Sequence, residues 1–354
     1  MDAVHAIRDD SGESIVREIC AKVQAGPGVS RHVHIVVENE ANQASLLERF
    51  DGRPRAATAQ WNDDLHHAVH VLSTGETEGY YADYENAPFE LFARSLAEGF
   101  IFQGQASTFL KGQHRGEPSA HLPSGAFVSF LQTHDQIGNR ALGERLHVLG
   151  DLQLIRAARA CLLLSPHVPM FFMGEEYAAA TPFQFFCDFG PELAQAVTEG
   201  RRKEFSHFGA FSGEGQGVVV PDPNAKSTFE ASKLRWAERE QTMNSIWLGE
   251  ARALLALRRE RIIPLLAVQQ EGGQYRTSHD GTIWVEWTFP GSGRTNATAV
   301  KLSLIAHFGG SLSAEMKWPS GRIVYSQGAH AEGTAAMTLD QGGVLVMLQD
   351  MTSK

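Results

Sequence analysis

Apolar residues recur along this chain with two periods, and the first three quarters alternates between them. Val16, Ile19 and Val23 fall at i, i+3 and i+7, which predicts a helix that Ser11 caps and Ala25-Gly-Pro-Gly28 ends. Ile35, Val36 and Val37 close a predicted strand over 32–37, apolar enough to be buried on both faces. A helix over 42–50 and a short strand over 56–60 are expected next. Asp63 and Asp64 then open a helix running to Leu72, placing two carboxylates at its electropositive end. Beyond it the pattern predicts a helix over 87–98, a long Gly- and Pro-containing loop over 103–125 and a strand over 126–132. A helix from Asp151 through Leu164 and a strand over 168–173 complete the alternation, which is that of βαβ units. Residues 178–243 are irregular. Trp247, Ala251, Leu254 and Leu255 share one face of a helix over 244–259, and Pro264 stops it. From 265 the period changes to two: 282–287, 299–305 and 343–348 read as short strands of a small antiparallel domain.

Composition narrows the class. A chain of 354 residues can bury more than one core, so a larger and a smaller domain are expected, divided as 1–263 and 264–354. The hydrophobic fraction of 43% and charged fraction of 20% are those of a soluble globular protein. A net charge of −10 leaves no basic excess to neutralise phosphates, which argues against a nucleic-acid partner. No apolar run approaches a membrane span. Cys20, Cys161 and Cys187 are sparse, odd in number and without metal spacing, which predicts reduced thiols in a cytoplasmic protein.

Two acidic positions follow strand-like runs directly. The run 31–37 delivers Glu38, and 126–132 delivers Thr133-His134-Asp135-Gln136. In a (β/α)8 barrel the chemistry is assembled at the C-terminal ends of several strands, and two acids so placed, with Asp2 as a third, fit that plan. Two have a plainer reading: a solvated or helix-capping acid for Glu38, a frayed terminus for Asp2. Two pairs of histidines have the spacing of metal ligands. His32-Val-His34 has a ligand spacing but lies at the beginning of its strand, away from the face where barrel ligands gather. His66 and His70 are one helical turn apart but have no glutamate base between them, so no metal is expected.

At these acids the chain resembles a known family. Asp2-Ala-Val-His-Ala-Ile7, Val37-Glu38-Asn39-Glu40-Ala41-Asn42 and Leu131-Gln-Thr-His-Asp-Gln-Ile-Gly-Asn-Arg-Ala141 resemble the fourth-, fifth- and seventh-strand motifs of the α-amylase superfamily, as worded in maltooligosyltrehalose trehalohydrolases. Ala59-Gln-Trp-Asn-Asp-Asp-Leu-His-His67, Gly79-Tyr-Tyr-Ala-Asp-Tyr84, Phe172-Met-Gly-Glu-Glu-Tyr177 and Glu199-Gly-Arg-Arg202 match in the same order. The likeness runs from residue 2 to about residue 260.

The resemblance implies an α/β fold: a partial (β/α)8 barrel made of strands five to eight, followed by an antiparallel, β-sandwich-like C-terminal domain. It implies Asp2 as nucleophile, Glu38 as general acid/base and Asp135 as the third acid of a retaining glycoside hydrolase. His5, Trp61, Asp63, His134 and Gln136 become substrate contacts, with a core Trp61 and a capping Asp63 as the plainer alternatives. The implied reaction uses no cofactor. It cleaves the α-1,4 bond beside the terminal trehalose of maltooligosyltrehalose, an α-glucan oligosaccharide, with water as co-substrate. The motif's Arg before the nucleophile and the four strands ahead of it are not in this sequence, so an N-terminally truncated chain, or one needing a complementing N-terminal segment, is expected. A glycogen-branching transferase of the same superfamily and a non-catalytic, carbohydrate-binding remnant stay open as rivals.

Overall fold

The computed structural model describes residues 1–205, 219–268, 271–291, 298–310, 316–317, 320–332 and 336–351. Contacts divide the chain into two units. The first is built from Met1–Leu131, Asp151–Met170 and Leu254–Lys354, the second from Gln132–Gly150 and Phe171–Ala253.

In the first unit four strands, β1 (Val36–Val37), β2 (Ala59–Asn62), β3 (Phe127–Ser129) and β4 (Val168–Pro169), form one parallel sheet in sequence order. Every crossover carries helix or turn, as parallel pairing requires. The strands lie where the apolar runs predict them but are shorter, because the flanking residues leave the ladder within two to four positions. Helices α1 (Ile15–Ala25), α2 (Asp63–Thr74), α3 (Pro88–Glu98) and α5 (Leu152–Leu164) match their predicted places; α4 is described with the second unit.

Two local expectations fail for identifiable reasons. Ser11 does not cap α1, which begins after Ser14. The Ile15 amide donates to the Asp9 carboxylate at 2.6 Å, and the Ser11 hydroxyl also donates to Asp9. α1 buries Val16 and Cys20 and leaves Ile19 exposed. No α-helix forms over 42–50. Asn42 sits at φ 50 and only a 3-10 turn at Ala44–Leu46 follows. Asp51 and Gly52, both at positive φ, then turn the chain into a hairpin between 49–50 and 53–54. Left-handed residues break a helix wherever they occur.

The antiparallel strands belong to the same unit. They are β5 (Gln274–Thr277), β6 (Thr282–Phe289), β7 (Ala299–His307), β8 (Arg322–Glu332) and β9 (Ala336–Met351). Together with a two-residue strand at Met316–Lys317 they make one antiparallel sheet in which β9 pairs both β7 and β8. Along β6, Ile283, Val285, Trp287 and Phe289 turn inward, the period of two predicted for it. This sheet packs on α3 and α5, and Phe92 of α3 meets Phe308 edge-on at 5.5 Å. Arg258 is buried and has no carboxylate partner among the described residues. Its guanidinium donates to the carbonyls of Leu163, Ser165 and His167, satisfying the end of α5 and the entry to β4, and burial lowers it to about 10.

Two buried histidines give the unit an acid limit. Burial first, then neighbouring His70 for His66 and Arg258 for His167, holds each down to about 3. In an unfolded chain both take up a proton near 6.5. Below pH 6.5 only the unfolded state gains the proton, so stability present above that pH is lost as it falls towards 3. The expected slope is roughly 1.4 kcal/mol per pH unit for each histidine. A urea midpoint that did not fall between pH 7 and pH 5 would contradict this.

Candidate active site

Residues 1–4 run beside β1 and are tied to it by backbone bonds. The Met1 nitrogen donates to the Val36 carbonyl at 2.7 Å, the Glu38 amide to Met1 O at 2.8 Å and the Val4 amide to Glu38 O at 3.0 Å. The Ala3 amide donates to the Glu38 carboxylate at 2.6 Å. Glu38, just past the end of its strand and half-buried, therefore stands beside exposed Asp2 within one hydrogen-bonded unit. His5 joins them: its Nδ1 accepts from the Glu40 amide at 3.2 Å, and its Nε2 lies 3.8 Å from the Glu40 carboxylate. A cavity of about 290 Å³ opens next to His5, with Asp9, Arg17, Gln43 and Ser45 among its walls.

Behind the loop that follows Glu38 lies a buried polar hub that the sequence reading missed. Asp64, wholly buried in the first turn of α2, accepts from Asn42 Nδ2 (2.9 Å), the Tyr84 hydroxyl (2.5 Å) and the amides of Ile101 and Phe102 (2.7 and 3.0 Å). It also pairs with Arg115 at 3.2 Å. Burial would push the Arg115 guanidinium down, but Asp64 and Tyr84 outweigh it and the net direction is up. Burial, with Asp64 beside it, drives the Tyr84 hydroxyl well up. The helix-opening pair thus divides its work: Asp64 turns inward, and Asp63 stays half-buried at the start of α2. Trp61 on β2 is likewise half-buried, with Phe130 edge-on to its ring at 5.6 Å.

His66 and His70 are engaged by other partners, while His32 and His34 are exposed with their rings stacked at 6.5 Å. His66 is bonded to Leu131 O and, at 3.0 Å, to the Tyr81 hydroxyl, while His70 Nε2 meets Glu76 at 2.8 Å. Among the described residues no group of three or more His, Cys, Asp or Glu is arranged to hold a metal ion, and no helix is long and apolar enough to cross a membrane. Cys20 and Cys161 are buried, Cys187 is half-buried, and none is disulfide-bonded.

The second unit carries the other predicted acid. Thr133 caps the short helix α4 (His134–Gly138) with a complete capping box: its hydroxyl oxygen accepts from the Asp135 amide, and the Gln136 side chain accepts from the Thr133 amide at 2.8 Å. This box leaves His134 and Asp135 exposed and Gln136 buried; Asn139 Nδ2 steadies the Asp135 carboxylate at 2.9 Å. Arg145, buried in the same unit, donates to Thr181 O at 2.6 Å and Met173 O at 2.9 Å. Burial lowers its guanidinium and Glu175 opposes the shift. Glu175 accepts from the Phe172 amide, and its carbonyl receives the Trp247 indole N–H at 3.1 Å. Burial likewise holds His147 down to about 4, with Arg145 adding to the shift.

No family model matches the chain. It is 42% identical over 297 residues to the malto-oligosyltrehalose trehalohydrolase of Deinococcus radiodurans, an alignment covering 83% of this chain and 46% of that protein. The malto-oligosyltrehalose trehalohydrolase of Arthrobacter ramosus is 39% identical over 265 residues, 73% of this chain and 44% of the relative. By sequence, the chain belongs to the malto-oligosyltrehalose trehalohydrolase family. It spans about half the length of these trehalohydrolases or slightly less. Its fold is α-amylase-like, α/β followed by an antiparallel sheet. A solved Salmonella typhimurium structure, described provisionally as an alpha amylase, matches 98% of this chain and 56% of its own, with a TM-score of 0.86 and 40% identity.

Proposed function

We propose that the chain supplies the catalytic acids of a retaining glycoside hydrolase that releases trehalose from maltooligosyltrehalose by cleaving the adjacent α-1,4 bond. The observation that carries the proposal is the bond from the Ala3 amide to the Glu38 carboxylate, within a chain whose relatives are named trehalohydrolases. It brings the residue after Asp2 onto the proposed acid/base; a retaining pair needs its two carboxyls about 5–5.5 Å apart. In this reading Asp2 attacks the anomeric carbon while Glu38 protonates the leaving oxygen. Water activated by Glu38 then hydrolyses the glycosyl ester, and Asp135 holds the distorted sugar. His5, Trp61, Asp63 and His134 contact the sugar hydroxyls and faces, whereas Gln136, buried and bonded to Thr133, holds the turn that presents His134 and Asp135. No cofactor or metal takes part.

The same proposal takes the parallel sheet as strands five to eight of a (β/α)8 barrel within residues 1–263, and residues 264–354 as the C-terminal β domain. A complementing N-terminal segment supplies the remaining strands. Incubating the purified chain with a trehalose-ended maltooligosaccharide, alone and with such a segment added, tests the reading. Trehalose release is expected, with the complemented sample faster. New α-1,6 branch points would make it a transferase, and binding without turnover in both samples would make it a carbohydrate-binding remnant.

A further inference from the structure

The loop that follows Glu38 is gripped by buried side chains as well as by residues 1–4: Gln60 donates to Asn39 O at 2.9 Å and to Asn42 Oδ1 at 3.3 Å, and Arg115 holds Glu40. Arg115 is buried, and each arm of its guanidinium has a partner: Nε donates to the Glu40 carbonyl at 2.7 Å, Nη1 to the Tyr84 hydroxyl at 3.1 Å, and Nη2 pairs with Asp64 at 3.2 Å. The face of the guanidinium covers the Phe102 ring at 5.0 Å. We propose that Arg115, seated on Asp64, is a positioning residue that sets where the Glu38 carboxyl stands by pinning residues 40–42.

Neighbouring contacts fall on the same few residues. Asn42 donates its side chain to Asp64 and its carbonyl receives the Glu117 amide at 3.0 Å, while the Ser45 amide donates to the Glu117 carboxylate at 2.7 Å. Gly116, next to Arg115, sits at φ +85, and a Cβ there would come within 1.8 Å of the Phe102 carbonyl oxygen. The backbone that presents Arg115 therefore has one course available. Glu38 lies between two fixed points, the 1–4 segment before the loop and the Arg115 contact two residues after it. A planar fork reaching three directions at once suits this task, and an ammonium group does not.

The inference rests on Glu38 being the acid/base, so its test uses a readout that does not depend on turnover. In Arg115→Lys and Asn42→Gly chains, amide hydrogen exchange at residues 40–42 is expected to quicken at least about tenfold, as a loop released from its contacts opens more often. Asn42→Gly keeps the positive φ and removes only the two side-chain bonds, to Asp64 and from Gln60, so it guards against a variant that merely fails to fold. On the trehalose-ended substrate, kcat is expected to fall about 10- to 100-fold with KM within twofold, because geometry at the reacting bond changes and sugar contacts do not. Unchanged exchange in both variants overturns the proposal, as does a kcat that holds or a loss carried by KM. If Glu38→Gln leaves kcat intact, the acid/base reading fails instead, and the exchange result still decides whether Arg115 pins the loop.

Discussion

Glu38→Gln is expected to slow trehalose release by about 10²- to 10⁴-fold, the range general acid–base groups contribute. The amide is nearly isosteric and its oxygen can still accept from the Ala3 N–H, so the local fold should persist. What disappears is the proton for the departing sugar oxygen and the base for the incoming water. The two losses separate by choice of substrate. A glucoside with an acidic aryl leaving group departs without protonation, so its first step should lose far less than the natural bond does. Steady-state rates on both substrates check this. Equal losses on the two would assign Glu38 to binding or folding.

Asp64→Ala is expected to cost about 3–5 kcal/mol, the usual penalty for breaking a buried ion pair by removing one partner. Arg115 would be left buried without its counter-ion, and the Tyr84 hydroxyl, the Asn42 amide and the Ile101 and Phe102 N–H groups would lose an acceptor at one stroke. Since domains are commonly stable by only about 5–15 kcal/mol, the urea midpoint should drop by a large fraction of its value. Asp64→Asn keeps the shape and some of the hydrogen bonding, and should fall between the two. A midpoint change equivalent to less than about 1 kcal/mol would show that the hub is solvated in solution.

The elements legible in the sequence are those whose signals are local. Asp63-Asp64 opens α2, Asp151 caps α5 through the Gln153 and Leu154 amides, and the apolar runs ending at Val37 and Leu131 mark where β1 and β3 lie. Glu38 and Asp135 could be picked out because each follows such a run. Asp64 could not. An acid in the first turn of a helix is already accounted for by the helix dipole, and nothing nearby reveals that its partners lie 20 to 38 residues away in either direction, with Arg115 further still. Gln136 had a local sign that went unused: Thr133-His-Asp-Gln136 has the spacing of a capping box, which explains why this glutamine is buried beside an exposed acid. The failed helix over 42–50 has the same origin as the missed hub. Asn42 takes its left-handed conformation in company with Asp64, a contact that propensity cannot see.

Residues 1–4 also bind like a selvedge along β1, with the same bonds that moor Glu38. Lifting that short ribbon would bare a row of unpaired peptide groups and cast the glutamate loose in one motion. Whatever alters the ribbon, whether a tag, a trimming protease or a newly joined segment, acts on sheet cohesion and on the proposed acid pair together, and the two should not be separable by changes made there.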